Sequence, residues 1–393
     1  MKQYAFILGR NPALSVGELA SVFPGQPVVL AMPEAVILEL AEIEPLAAMR
    51  RLGGTIKIGE ALVETKEQNL TEEILKILKN LTPAEGKLIF GLSLYGLTNP
   101  KLGAIIKKKL KEQSIKARWV ISRNPVLSSA DVALNKLIGK GIELLIIKKK
   151  DDIFIAKTLA VQEFEKYSRR DYGRPARDVR SGMLPPKVAK MMINLAQAPM
   201  DGIIIDPFCG SGTILQEALL LGHSDIYGSD VSQQAVRDCK ANLNWLIEKL
   251  KLSSFNYLQR IKQLDAEKLT DYFEENYFDA IITEPYLGPP LRGRETEREI
   301  KEIINELSEL YLKFFIQAKF ILKNTGRIVI IFPVFILNNK KLFLPILEQI
   351  EKIGFKIKNS LPEDWGFEVS ERNSIIYSRA GQRVQREILV WEN

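Results

Sequence analysis

The alternation of apolar and polar residues along positions 1–64 predicts four strands and two helices in the order β-α-β-β-α-β. The segments that carry this pattern are QYAFILG, ALSVGELASVF, PVVLA, AVILEL, IEPLAAMRRLGG and TIKIGEALVE. This order is that of the split, ferredoxin-like unit. We therefore expect an N-terminal ferredoxin-like domain over 1–64, a scaffold that by itself does not indicate a function.

A second α/β pattern extends over 65–165. Its predicted elements are LTEEILKILKNL (helix), KLIFGLSLYG (strand), KLGAIIKKKLKEQ (helix), ARWVIS (strand), SSADVALNKLIGKG (capped helix), ELLIIKKK and IFIAKTLAV (strands). Between Lys101 and Arg118 the chain has seven Lys or Arg residues and one Glu. Two interpretations of this run remain open: a solvated helix face, or a surface that contacts nucleic acid.

The segment 166–181 is rich in Arg, Gly and Pro and lacks clear periodicity, so its composition predicts a basic linker. Guanidinium and aromatic groups together suit phosphates and stacked bases. The alternative is a structured linker whose arginines pair with Asp171 and Asp178. The arginines and tyrosines concerned are Arg169, Arg170, Arg174, Arg177, Arg180, Tyr167 and Tyr172.

From 182 to 393 the pattern becomes a long alternation of strands and helices, which predicts a doubly wound α/β domain. The predicted strands include GIIIDPF, DIYGSD, FDAIITEPY and GRIVIIFPV, and a helix is expected over 343–353. Such sheets bind ligands at the carboxyl ends of their strands. This domain is therefore where a site is expected.

Composition limits the classes of reaction and of binding site that the chain could have. The chain has 393 residues, 46% of them hydrophobic, with a net charge of +7, one histidine and two cysteines. No Cys/His spacing suits zinc, and a single histidine discourages His-based hydrolysis, so we expect no metal. The apolar stretch at the N-terminus is too short for a signal peptide, and no run reaches membrane-spanning length. We therefore expect a cytoplasmic protein, acting as a monomer.

The stretch IIIDPFCGSGTILQEALLLG runs from a strand through two glycines into a helix. A phosphate-binding loop would need Gly-Lys-Ser/Thr at the helix start, and a dinucleotide site would need a third glycine where Leu215 stands. Asp206 would repel a pyrophosphate and suits a cationic ligand such as S-adenosylmethionine. Asp230 ends the next strand and could take two ribose hydroxyls, and Asp265 follows the third strand, where an adenine amine needs an acceptor.

Residues 206–213, DPFCGSGT, resemble the first motif of class I methyltransferases that act on nucleic acids. The resemblance implies a Rossmann-like domain with a seven-stranded doubly wound sheet over 182–393, and S-adenosyl-L-methionine as cofactor. It also implies a set of cofactor-binding residues: Asp206, Phe208, Gly210, Gly212, Thr213, Asp230, Asp265, Ala266 and Met183. Cys209 has no basic neighbour that would activate it and is interpreted as a small packing residue.

The second motif is Thr283-Glu284-Pro285-Tyr286, which is similar to the Asp-Pro-Pro-Tyr signature of enzymes that methylate exocyclic amines of bases. Such an amine is a poor nucleophile, and oxygens that accept its N–H bonds localise its lone pair. The predicted catalytic residues are Glu284, Pro285 and Tyr286. Glu284 replaces the usual Asp, and either Tyr286 or Leu287 could stack on the base; we favour Tyr286.

Over its whole length the chain resembles THUMP-domain RNA methyltransferases, and among them the tRNA guanine-N2 methyltransferases that modify the guanosine at position 10. The segments AFILGRNPALSVGELASVF, MLPPKVAKMMINLA and YSRAGQRVQREILVW share in this likeness. The resemblance implies tRNA as partner and a THUMP RNA-binding domain over 65–165. The predicted RNA-binding residues are Lys107, Lys108, Lys109, Lys111, Arg169, Arg170 and Arg174.

Two alternatives remain at this stage. One is an adenine-N6 methyltransferase acting on DNA or RNA, since the handling of an exocyclic amine is the same. The other is an RNA-binding relative that has lost catalysis, which the unusual Glu284 keeps open.

Overall fold

The computed structural model describes residues 1–82, 86–122, 124–177, 183–251, 257–367, 370–379 and 381–393. These residues form two compact units. The first comprises Met1–Val16, Phe23–Glu165 and Asp364–Gly366, and the second comprises Gly17–Val22, Lys166–Glu363 and Phe367–Asn393.

The first unit is built on one eight-stranded sheet. Its strands are β1 (Lys2–Leu8), β2 (Val28–Met32), β3 (Ala35–Leu40), β4 (Thr55–Thr65), β5 (Leu88–Tyr95), β6 (Ala117–Val120), β7 (Ile142–Lys149) and β8 (Asp152–Val161). They are ordered β2-β3-β1-β4-β8-β7-β5-β6. The four strands of 1–64 pair antiparallel with one another, whereas β5 pairs parallel with both β6 and β7.

The prediction of two separate N-terminal domains does not describe this sheet. Strand β4 pairs with β1 along one edge and with β8 along the other, so the segments 1–64 and 65–165 share a continuous ladder. A buried polar network also crosses the predicted boundary: Lys57 of β4 forms an ion pair with Glu143 of β7. Glu143 in addition accepts hydrogen bonds from Ser93 at 2.6 Å and from Thr158 at 2.7 Å. A fully satisfied network of this kind favours one arrangement of the strands.

The helices formed by the N-terminal residues are α1 (Pro12–Val22), α2 (Pro45–Arg51), α3 (Leu70–Asn80), α4 (Leu102–Glu112) and α5 (Ser129–Leu134). In α4 the apolar residues Leu102, Ile106 and Leu110 recur every fourth position and are all buried. The predicted cap of α5 is present: Ser128 and Asp131 form a reciprocal capping box.

The second unit contains a nine-stranded sheet, not the seven strands expected. Its strands are β9 (Ile204–Asp206), β10 (Ile226–Asp230), β11 (Ile261–Gln263), β12 (Phe278–Thr283), β13 (Leu322–Leu337), β14 (Lys340–Leu342), β15 (Lys356–Lys358), β16 (Ile375–Tyr377) and β17 (Val384–Glu392). Seven of them follow the order β11-β10-β9-β12-β13-β17-β15. The difference from the prediction is two three-residue strands, β14 on β13 and β16 on β17, too short to give a periodic signal.

The remaining helices are α6 (Phe164–Tyr172), α7 (Pro186–Ala196), α8 (Thr213–Leu221), α9 (Gln233–Leu250), α10 (Glu297–Ile321) and α11 (Leu347–Ile353). The predicted linker over 166–181 is thus partly helical, and its residues 178–181, with the predicted boundary at 181, lie outside the described residues. The helix expected over 343–353 begins four residues later. No helix in the described ranges is both long and apolar enough to cross a membrane.

Candidate functional site

The candidate site lies where three neighbouring parallel strands end. Strand β9 ends at Asp206, β10 ends at Asp230 and β12 ends at Thr283, and β9 pairs in parallel with both of the others. The carboxyl ends of these strands therefore lie at one edge of the sheet, which is where open α/β sheets bind ligands.

The turn after β9 depends on its two glycines. Gly210 and Gly212 adopt φ values of 49° and 82°, in the left-handed region that other residues rarely enter. A Cβ atom at Gly212 would also lie 2.7 Å from Sγ of Cys239, whereas one at Gly210 would meet no described atom within 4 Å. The open space beside Gly210 allows close approach of a ligand to the backbone. The turn is held to β10 by a 3.0 Å hydrogen bond from the Gly210 N–H to Oδ2 of Asp230.

Asp206 is buried at the end of β9, with 2% of its surface exposed. Its Oδ1 accepts hydrogen bonds from the Thr283 hydroxyl at 2.7 Å and from the Phe208 N–H at 3.2 Å. Burial nevertheless raises the pKa of Asp206 to about 7, and the nearby negative charges of Asp230 and Glu284 raise it further while the two hydrogen bonds oppose the shift. A cation at this point would relieve the cost of the buried charge.

Asp230 ends β10, Asp265 lies two residues after the end of β11, and both carboxylates are half-buried. Oδ1 of Asp230 accepts from the Ser232 N–H at 2.9 Å, so each of its oxygens takes one backbone donor and retains acceptor capacity. Asp265 caps the short 3₁₀ helix Ala266–Asp271 by accepting from the Glu267 N–H at 3.0 Å. The two carboxylates are linked through the backbone, because the Leu264 N–H donates to the Asp230 carbonyl at 3.1 Å.

Two of the three apolar residues predicted to contact a cofactor, Ala266 and Phe208, belong to one cluster. Ala266 is buried among the core residues of the second unit, and Phe208 packs against the same cluster with its ring edge-on to Phe314, at a centroid separation of 5.5 Å. The third of these residues, Met183, contacts Arg174 through its sulfur.

The Thr283–Tyr286 motif follows β12, so the Thr283 bond to Asp206 joins the two motifs directly. Pro285 is buried, whereas the Tyr286 side chain is exposed, with 57% of its surface accessible. The backbone at Tyr286 is fixed, since its carbonyl accepts from the hydroxyl of buried Tyr311 at 3.1 Å. A rigid turn thus presents a free aromatic ring, which suits stacking on a base.

Glu284 has a partner that the sequence alone did not indicate. Arg386 of β17 donates from Nε to Oε1 of Glu284 at 2.5 Å, and both side chains are largely buried. Burial raises the pKa of Glu284, and the Arg386 guanidinium counteracts that rise. Arg386 lies in YSRAGQRVQREILVW, where the available signal was a charged pair, Arg386 and Glu387, directly before the apolar run 388–391 of the same strand.

Thr283 was also missed as a contributor to the site. The sequence feature that could have indicated Thr283 is a hydroxyl-bearing residue between the strand segment FDAII and Glu284. Its side chain is fully buried, and its hydroxyl supplies the bond to Asp206 described above.

Two of the predicted RNA-binding arginines have largely buried side chains. Arg170 pairs with buried Glu217 of α8 at 2.5 Å and stacks over Tyr167, with its Cζ 4.4 Å from the ring centroid. Arg174 is 4% exposed and donates to the Thr213 hydroxyl at 2.7 Å. These positions correct the prediction, because a guanidinium engaged inside the second unit is not available to phosphates.

The other predicted RNA-binding residues are exposed. Helix α4 buries its apolar stripe and turns its lysines to solvent, and Arg169 is exposed on α6. The lysines are Lys107, Lys108, Lys109 and Lys111. Their role in binding RNA stays a prediction.

Comparisons with known proteins agree with this geometry. Residues 174–340 match a family model described as an RMKL-like methyltransferase domain, and residues 65–241 match a model described as a DNA methylase. The crystal structure of TrmN from Thermus thermophilus superposes with a TM-score of 0.54 at 17% identity, covering 100% of this chain and 99% of that one. The fold is that of a methyltransferase.

A second solved structure, of a predicted N6-adenine-specific DNA methylase from Listeria monocytogenes, has a TM-score of 0.50 at 15% identity, over 98% of this chain and 95% of the other. At these sequence identities, the similarity to the two structures is evidence for the fold alone.

Curated relatives are similar over part of their length. A tRNA (guanine(10)-N2)-dimethyltransferase of Methanocaldococcus jannaschii is 27% identical over 199 residues, 48% of each chain. That of Methanothermobacter thermautotrophicus is 29% identical over 158 residues, 39% of this chain and 43% of the relative. The chain thus spans about half the length of the curated relatives it matches. The resemblance to RNA methyltransferases near the tRNA guanine-N2 group, predicted over the whole length of the chain, is confirmed by these matches, which do not test the THUMP domain.

Within the described ranges, no group of three or more His, Cys, Asp or Glu side chains is placed to hold a metal ion.

Proposed function

We propose that this protein is an S-adenosylmethionine-dependent tRNA methyltransferase that methylates the exocyclic N2 amine of the guanosine at position 10. The observation that carries the proposal is the hydrogen bond between Thr283 and Asp206. It joins an acidic, glycine-lined ligand site to a Glu-Pro-Tyr turn at the ends of adjacent strands. A methyl donor and an amine acceptor must meet in such a place.

The cofactor would be held by groups whose chemistry matches its parts. Asp206 offers a buried carboxylate to a cationic group, Asp230 retains acceptor sites for two ribose hydroxyls, and Asp265 offers an oxygen to the adenine amine. When bound, S-adenosylmethionine supplies an electrophilic methyl group on a sulfonium. The open space at Gly210 leaves the backbone accessible to it.

The Glu-Pro-Tyr turn would serve the amine. An ionised Glu284 accepts an N–H bond from the N2 amine and so localises the nitrogen lone pair toward the methyl group. Arg386 opposes the rise in the pKa of Glu284 that burial causes, and its hydrogen bond fixes the direction of the carboxylate. The exposed ring of Tyr286 stacks on a guanine that has left the helix stack. Methyl transfer would form an N–C bond as the S–CH3 bond of the sulfonium breaks, leaving S-adenosylhomocysteine, and the nitrogen would release one proton to solvent.

Recognition of a whole tRNA requires contacts away from this pocket, because one flipped base contributes little specificity. The exposed lysines of α4 and Arg169 are the basic groups we assign to phosphate contacts, and 65–165 to the THUMP role. The names of the curated relatives support tRNA as the substrate class.

Nucleoside mass spectrometry tests the proposal. The intact protein is incubated with unmodified tRNA transcript and methyl-labelled S-adenosylmethionine, beside a transcript in which position 10 is adenosine. We expect label in N2-methylguanosine or N2,N2-dimethylguanosine with the first transcript alone. Asp230→Ala serves as the impaired control, with cofactor binding weakened by about 1.5–3 kcal/mol for the lost bonds to a charged group.

The alternative substrate is the N6 amine of adenine, favoured by the match to a DNA methylase model over 65–241. That match ends before Glu284, so it does not include the turn that would select the base. Label in N6-methyladenine, from DNA or RNA, would replace the guanine proposal. Cofactor binding without any labelled nucleoside would indicate a catalytically inactive RNA-binding relative.

A further inference from the structure

Within the second unit, the segment that contains Arg174 and Ala176 is bonded to the glycine turn of the candidate site at two points. Arg174 donates from one terminal nitrogen to the Thr213 hydroxyl at 2.7 Å and from the other to the Met183 sulfur at 2.7 Å. Asn242 of α9 donates from Nδ2 to the Ser211 carbonyl at 2.8 Å and to the Ala176 carbonyl at 2.9 Å.

Asn242 is bonded to the segment in both directions, because its Oδ1 also accepts from the Ala176 N–H at 2.9 Å. The side chain is fully buried and satisfies both the N–H and the carbonyl of Ala176, which lies in no strand of the described residues. Through Asn242, the backbone at Ala176 and the backbone at Ser211 are therefore held in a fixed relation.

Burial of the Arg174 side chain is energetically unfavourable. Burial lowers the pKa of its guanidinium, and among the described residues it forms no ion pair and its Nε has no hydrogen-bond partner. The carboxylates of Asp171 and Glu217 favour the charged form from a distance, but neither forms an ion pair with Arg174, and a buried cation without a direct ion pair costs free energy. Arg174 is therefore poorly explained as a general source of stability, whereas its forked donors are well suited to fixing two acceptors at once.

The two contacts lie on either side of Gly212. Ser211 precedes it and Thr213 begins α8, and Gly212 itself occupies a left-handed conformation that few other residues would adopt. A glycine loses more conformational freedom on ordering than other residues do. Groups that anchor its two neighbours would reduce the cost of ordering the turn around a ligand.

We propose that Arg174 and Asn242 are positioning residues of the cofactor site, which use the segment around Ala176 to hold the glycine turn in its binding conformation. The assignment rests on the proposed function, in which this turn binds S-adenosylmethionine. Neither residue touches the cofactor; Arg174 acts through Thr213, and Asn242 acts through Ser211.

Calorimetry of S-adenosylhomocysteine binding to the full-length protein tests the assignment. Arg174→Gln and the isosteric Asn242→Asp, which keeps the acceptor and loses the donors, should each weaken binding ten-fold or more. Arg174→Lys should fall between Arg174→Gln and the wild type, because one ammonium cannot serve both acceptors in the planar fork geometry. The matched control is Arg260→Gln, which removes an ion pair to Asp225 before β10 and β11 and should change affinity less than two-fold.

A double-mutant cycle identifies the route of the effect. In a Thr213→Val background, Arg174→Gln should cost at least three-fold less affinity than in the wild type, since its acceptor is already gone. Without ligand, amide hydrogen exchange over 207–213 should be faster in Arg174→Gln and in Asn242→Asp than in Arg260→Gln.

Several outcomes overturn the assignment. They are additivity in the cycle, unchanged exchange in the turn, or variants that lose thermal stability but keep wild-type affinity. A wild-type protein that binds no S-adenosylhomocysteine would instead overturn the proposed function, and with it the assignment. Wild-type binding combined with unaffected variants would overturn the assignment alone.

Discussion

The Nε atom of Arg386 lies 2.5 Å from Oε1 of Glu284, although the two residues are 102 positions apart in the chain. Burial raises the pKa of the Glu284 carboxyl, and the guanidinium opposes that rise by stabilising the charged form. The unusual glutamate of the second motif therefore does not stand alone. Its protonation state depends on a residue from the last strand.

The pH dependence of methylation should reveal this pair. In Arg386→Gln, Glu284 loses its counter-charge, its pKa rises further, and the ionised acceptor is depleted at neutral pH. We expect turnover at pH 7 to fall at least ten-fold, which corresponds to about 1.4 kcal/mol in the barrier, with the acidic limb of the pH–rate profile shifted to higher pH. Raising the pH should restore part of the loss.

Arg372→Gln is the matched control for that experiment, because Arg372 pairs with Glu387, the residue next to Arg386 on β17. It should leave the acidic limb where it is in the wild type. An unshifted limb in Arg386→Gln would show that Glu284 does not act as the ionised acceptor.

Tyr286 should serve the base and not the cofactor, since its ring is exposed while its backbone is anchored by Tyr311. Tyr286→Ala should reduce kcat/KM for tRNA ten-fold or more, and Tyr286→Phe should retain most of it because stacking needs only the ring. Affinity for S-adenosylhomocysteine should stay within a few-fold in both. Parallel loss of cofactor affinity would mean that the ring lies in the cofactor pocket.

Because the pKa of Asp206 is raised, the affinity for the cofactor should depend on pH. With a pKa of about 7 before binding, the carboxyl is protonated in acid, and a cationic ligand must then displace the proton. Affinity for S-adenosylmethionine should fall by up to ten-fold per pH unit below 7 and level off above it. Uncharged 5′-methylthioadenosine should show no such trend, and neither should Asp206→Asn, in which the titrating group is absent.

The same raised pKa has a consequence for stability with a definite sign. Between the ordinary pKa of an aspartate and about 7, the folded protein holds a proton that the unfolded chain has released, so stability falls as pH rises through this range. Asp206→Asn should therefore match the wild type near pH 4 and melt at a higher temperature at pH 8. Scanning calorimetry at the two pH values measures this. Equal melting temperatures at pH 8 would argue against the shifted pKa.

If the exposed lysines of α4 contact phosphates, the affinity for tRNA should depend on the salt concentration. Each phosphate contact should contribute about 0.7–0.9 log units of affinity per log unit of salt. Reversing Lys107, Lys108, Lys109 and Lys111 to Glu should flatten the slope in a filter-binding titration without changing cofactor affinity. Lys76→Glu with Lys79→Glu, on exposed positions of α3, is the control. If both sets flatten the slope equally, α4 is not a specific phosphate-binding surface.

Local sequence was sufficient for most of the elements and for the two motifs. The strand that ends at Asp206, the turn through Gly210 and Gly212 and the helix that starts at Thr213 are encoded within a few neighbouring residues. The same is true of the capped α5 and of the apolar stripe of α4. In each case the signal is a periodicity or a backbone requirement that acts over one or two turns of chain.

Tertiary structure decided how distant segments combine. Because β4 pairs with β8, the two predicted domains share one sheet. The side chains of Arg170 and Arg174 are largely buried by their partners, Glu217 and Thr213, and do not form part of the predicted RNA-binding surface. The sequence shows that an arginine is charged, but its partner depends on which strands and helices pack together. Glu284 and Arg386 meet because β12 and β17 both pair with β13, and Asp206 titrates near 7 because the surrounding core excludes water from its carboxylate. Such relationships arise from packing across the whole chain, and no local pattern records them.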